Sequence, residues 1–94
     1  MIQLDHAATH QALPWGPLIG ALRERFALGC EVPARHVHDI PNPGGTRTTS
    51  LIMPAWIPGR CYGVKIVNIA AGNPATGLPG LHASYTLFDS RTGA

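Results

Sequence analysis

CYGVKIVNIA (residues 61–70) is the stretch that decides the fold. Aliphatic and β-branched residues dominate it and no proline interrupts it, so it reads as the strongest strand of the chain. Turn signals bracket it on both sides. Pro58-Gly59 precedes it, and AGNPATGLPG (71–80) follows with five Gly or Pro among ten residues. LHASYTLFD (81–89) reads as the next strand and SRTG (90–93) as a turn. Working upstream, TSLIM (49–53) is a strand ended by Pro54, PNPGGTR (41–47) a turn or hairpin loop, and RHVHDI (35–40) a short strand. Strands joined by such short turns are mostly antiparallel.

Before Pro33 the period is helical. DHAATHQA (5–12) forms a short helix with Asp5 as its cap, stopped by Pro14. A second helix begins near Pro17, where a missing N–H costs nothing, and ends at Gly29. Leu18, Ile19, Leu22 and Phe26 give it an apolar stripe. The expected class is therefore α+β, with N-terminal helices packed on a mostly antiparallel sheet.

A length of 94 residues allows one domain or a piece of one. We read residues 1–94 as a single partial domain, because nothing after the last strand covers the sheet. The apolar share is 45% and the charged share only 13%, which excludes intrinsic disorder and leaves few groups to solubilise the surface. Seven basic residues are scattered rather than clustered, which argues against nucleic acid. No segment reaches the roughly 20 apolar residues of a membrane span, and the N-terminus lacks the basic start of a signal peptide. Cys30 and Cys61 have no CxxC spacing and suggest reduced thiols in a cytoplasmic protein.

Lys65 is the only lysine and sits in the middle of the strongest strand. By alternation it shares a face with Cys61, Gly63, Val67 and Ile69. Apolar neighbours desolvate an ammonium and fit it for proton transfer; a solvent-facing or edge-protecting lysine is the plainer alternative. Arg35 opens the first strand, and a guanidinium fits a carboxylate bidentately; a solvated arginine is again the plainer reading. His36-x-His38 puts two imidazoles on one strand face, but no third ligand supports a metal site, and none is expected. There is no GxGxxG between a strand and a helix, and no GxSxG, so neither a dinucleotide loop nor a serine nucleophile is present in this segment.

MPAWIPGRCYGVKIVNIAAGNPATGLPGLHASYTLFDSRTG (53–93) resembles the N-terminal region of the ornithine cyclodeaminase/mu-crystallin family. The resemblance rests on Met53-Pro54-Ala55-Trp56, Gly63-Val64-Lys65, Gly72-Asn73, Gly77-Leu78-Pro79, and Leu87-Phe88-Asp89 with Thr92-Gly93. The helix over 18–29 followed by Val32-Pro33-Ala34-Arg35 extends it upstream. It implies the substrate-binding and dimerising half of an NAD(P)-linked protein whose Rossmann half is absent here. It also implies a catalytic, substrate-contacting role for Lys65, a carboxylate-holding role for Arg35, and a substrate-lining loop that includes Gly80. Where some members carry Ser or Thr after Gly-Leu, this chain has Pro79-Gly80. No cofactor residue is expected in this segment, and NAD or NADP is expected only in a full-length relative. The expected function is the substrate part of an amino-acid cyclodeaminase, imine reductase or dehydrogenase acting on a small amino or imino acid as a homodimer. A non-catalytic ligand-binding or dimerisation module of the mu-crystallin type, or an inactive remnant, is the alternative.

Overall fold

The computed structural model describes residues 1–94, and the chain divides into two compact units, Met1–Cys30 and Glu31–Ala94.

The first unit holds two helices, α1 (His6–Ala12) and α2 (Trp15–Leu28). Asp5 caps α1 as its sequence suggests, accepting a hydrogen bond from the backbone N–H of Ala8 at 2.9 Å. This satisfies one of the donors that every helix start leaves free. α2 begins two residues earlier than expected, with Pro14 as its cap and Pro17 inside its first turn. Pro17 fits there because first-turn N–H groups have no intrahelical acceptor to lose. Gly29 ends the helix, its N–H donating to the carbonyl of Arg25 at 2.7 Å.

The second unit is a four-stranded antiparallel sheet in the order β1-β2-β3-β4, so each strand pairs with its sequence neighbour. The strands are β1 (His36–Pro41), β2 (Arg47–Ile57), β3 (Cys61–Ile69) and β4 (Leu81–Asp89). The β2–β3 turn is tight: Arg60 N–H donates to the Ile57 carbonyl at 3.0 Å. Pro58 presets the first corner, and Gly59 supplies φ of 72° at the second, which a side chain would disfavour. The longer β3–β4 connection folds a 3₁₀ turn over Asn73–Thr76, which the Gly/Pro content alone did not reveal.

β2 corrects one expectation, since it runs through Pro54 to Ile57 instead of ending there. The reason lies in which way the backbone points. Trp56 and Glu31 exchange both N–H···O bonds, at 3.0 and 2.9 Å, on the β1 side of β2. Residue 54 has the same parity as 56, so its missing N–H also faces that side. There β1 has already run out, because its pairing begins at His36 opposite Ile52. A proline is tolerated where no ladder bond is lost. β1 itself starts at His36 and includes Pro41, one residue later at each end than expected. Between the Glu31–Trp56 bridge and the His36–Ile52 pair the register advances by one residue, a bulge that returns both flanking side chains to one face.

Candidate functional site

β3 is central, and Lys65 lies at its middle, opposite Met53 on β2 and Tyr85 on β4. Facing residues of an antiparallel sheet project to the same side, so Met53, Lys65 and Tyr85 form one row across three strands. Arg35 directly precedes β1, whose pairing with β2 begins at His36 opposite Ile52, so it stands outside the ladder in the stretch where the register shifts. β1 and β3 are two strands apart, about 10 Å at the backbone. The strand order thus brings Lys65 on β3 within two strands of the start of β1, which Arg35 precedes, although the two residues are far apart in sequence.

Around this row the face is apolar. Val67, two residues from Lys65, is 6% exposed and is the one buried hydrophobic side chain of the chain. Gly63, two residues on the other side, is buried as well. Lys65 itself is exposed, so the desolvation expected of it is not supplied by these residues. The same face leaves Val37, Leu81, Tyr85 and Leu87 open to solvent.

Gly80 stands elsewhere. Its carbonyl accepts from the N–H of Ala70 at 2.8 Å, closing the end of the β3–β4 connection. Ala70 is five residues from Lys65, about 16 Å along the strand. The sheet does not bring Gly80 beside the row that holds Lys65. His36 and His38 belong to the opposite face, with ring centroids 6.0 Å apart and edge-on. No group of three or more His, Cys, Asp or Glu side chains comes together.

Tyr85 is the residue of this region that the sequence reading passed over. Its hydroxyl and ring lie across Gly63: a Cβ built on Gly63 would stand 1.9 Å from the hydroxyl oxygen and 2.6 Å from Cζ. A glycine inside the strongest strand was the available signal, since strand glycines often mark a close approach by another group.

A concave region lies at the Trp56–Tyr62 end of the sheet, a groove of about 410 Å³ that also takes in Glu31 and Asp89. Trp56 Nε1–H donates to Glu31 Oε2 at 2.9 Å. The rings of Tyr62 and Phe88 stack at 5.5 Å. The backbone N–H of Arg91 donates to Asp89 at 2.7 Å and its guanidinium at 3.3 Å, and these contacts hold the Asp89 carboxyl below the usual carboxylate range. Both acids of this groove are therefore engaged by their own neighbours.

No family model matches the chain. An uncharacterised protein of Schizosaccharomyces pombe is 43% identical over 93 residues, covering 96% of this chain and 28% of that protein. The delta(1)-pyrroline-2-carboxylate reductase of Paracoccus denitrificans is 32% identical over 81 residues, covering 86% of this chain and 24% of the reductase. Among solved structures, an archaeal alanine dehydrogenase dimer with bound NAD superposes with a TM-score of 0.69 at 28% identity, covering 89% of this chain and 26% of that one. The fold and these relatives define a segment of an α+β domain. The chain belongs to the ornithine cyclodeaminase/mu-crystallin family and matches part of its N-terminal region. It spans about a quarter of the length of the curated relatives it matches, 28% and 24% for the two named here. No helix of the chain is long and apolar enough to cross a membrane.

Proposed function

We propose that residues 1–94 are one partial domain that forms the substrate-binding part of an NAD(P)-dependent imine reductase or related amino-acid dehydrogenase or cyclodeaminase. The observation that supports this reading is the sheet order, with Lys65 opposite Met53 on an apolar face and two strands from the start of β1, which Arg35 precedes. In it, Arg35 holds the substrate carboxylate through a charge-assisted fork, which fixes the orientation of the reacting carbon. Lys65 stands one strand beyond Met53, within reach of the substrate nitrogen, and its ammonium hands over or takes up a proton there as that nitrogen changes between imine and amine. A cover over the exposed face supplies the dry surroundings that strengthen both contacts.

The order of this chain is two helices and then four antiparallel strands, with no strand–glycine loop–helix unit. The nicotinamide cofactor of such a protein belongs to residues outside this segment. We assign the role to a homodimer in the cytoplasm, in line with the dimeric alanine dehydrogenase and the free thiols of Cys30 and Cys61. Pyrroline-2-carboxylate is the first substrate to test, given the reductase among the relatives, and alanine the second. The complete gene product is assayed with each and with NADH and NADPH or their oxidised forms. Turnover of one of them is expected; absence of turnover with every cyclic and open-chain imino acid overturns the assignment.

A further inference from the structure

Tyr85 pairs with Lys65 across the β3–β4 ladder, yet its ring does not stand over Lys65's own row. It leans one row along the strand and lies across Gly63, where a Cβ would come within 1.9 Å of the hydroxyl oxygen, 2.6 Å of Cζ and 3.1 Å of Cε1. No alternative residue at 63 leaves the ring there, since any side chain begins with that carbon. A glycine in a strand interior weakens the strand, and here it provides a seat for a ring. Tyr85 is nonetheless 63% exposed, so one side of the ring is seated on the backbone and the other is open. Gly63 is two residues from Lys65 on the same face, so the ring flanks the lysine from the direction of Cys61.

We propose that Tyr85 is a specificity-determining residue of the Lys65 site: seated on Gly63, its ring walls the site toward Cys61 and admits imino acids whose side chain is short or closed into a ring. The inference rests on the reading of Arg35 and Lys65 given above. With the carboxylate on Arg35 and the nitrogen at Lys65, the substrate side chain has two ways to run along the sheet. Toward Val67 the face is flat and aliphatic. Toward Gly63 it meets the phenol, so a long open chain entering that way collides with the ring, whereas a compact ring fits against it. Pocket walls of this kind discriminate modestly, by about one to two orders of magnitude for a methylene or two.

The test compares Tyr85→Ala, which removes the wall, Gly63→Ala, which unseats it, and Tyr85→Phe, which keeps it, in the complete gene product. The quantity read is the ratio of kcat/KM for a long open-chain imino acid to that for pyrroline-2-carboxylate. Tyr85→Ala and Gly63→Ala are expected to raise the ratio about tenfold or more, and Tyr85→Phe to leave it within about twofold. An unchanged ratio in both alanine variants, with Lys65→Ala inactive, overturns the inference and leaves the site assignment standing. Full activity of Lys65→Ala removes the site assignment itself. A measurement on the wild-type protein guards against misfolded variants: NMR should show contacts between the Tyr85 ring and the Gly63 α-protons, with those protons shifted upfield. Their absence also overturns the inference.

Discussion

Lys65 and Arg35 were visible as single residues, because a lone lysine in the strongest strand and an arginine at a strand start are unusual in a chain with 13% charged residues. What the sequence could not show was how far apart the strands that carry them lie. That depends on the sheet order, which sets β2 between the start of β1 and Lys65 on β3. Tyr85 stayed hidden for the same reason, since its seat on Gly63 is a cross-strand contact. The role of Arg35 makes a prediction of its own. Arg35→Lys keeps the charge and loses the planar fork, so KM for the carboxylate-bearing substrate should rise about tenfold or more while kcat changes less. Steady-state kinetics of that variant decide it, and an unaltered KM removes Arg35 from the site. Asp89 carries a pH prediction. Its folded pKa lies below that of an ordinary aspartate, chiefly through the Arg91 N–H, so the contribution to stability is present above the ordinary value and fades as pH falls through the lower folded one. NMR titration of the Asp89 carboxyl from about pH 5 to about pH 2 should show the depressed midpoint, together with faster exchange of the Arg91 amide at the acid end.

At the scale of elements, the helices and strands followed from local chemistry. Asp5 capped α1, Gly29 ended α2, and the alternation of 81–89 matched β4 at both ends. The departures came where the partner strand decided the outcome. Pro54 reads locally as a strand breaker, but its N side faces the gap between Glu31 and His36, so β2 passes through it. Pro54→Ala should therefore shift stability by no more than about 0.5 kcal/mol. Ile52→Pro, which removes a bonded N–H opposite His36, should cost several times more. Thermal denaturation of the two variants separates them, and equal losses would contradict the one-sided pairing of β2. The Asp5 cap is a milder device: Asp5→Ala should weaken α1 by about 1 kcal/mol, read as lost helical signal in the first unit.

For the molecule as a whole, the sequence conveyed class, antiparallel pairing and family resemblance, while strand order and the degree of exposure emerged only from the structure. One hydrophobic side chain, Val67, is buried, and Val37, Leu81, Tyr85 and Leu87 lie open on the face that carries Lys65. β1 and β4 are both edge strands. Apolar faces and free edges of this kind favour association. Residues 1–94 prepared alone should self-associate at high concentration in size-exclusion with light scattering, and a strictly monomeric species would contradict that expectation. The account as a whole turns on whether the β3 lysine takes part in turnover. The most direct measurement is kcat/KM of Lys65→Ala against wild type in the complete gene product, with the sheet verified by circular dichroism. A fall of about a hundredfold or more with an intact fold is the result predicted; wild-type kinetics in a folded Lys65→Ala protein would contradict it.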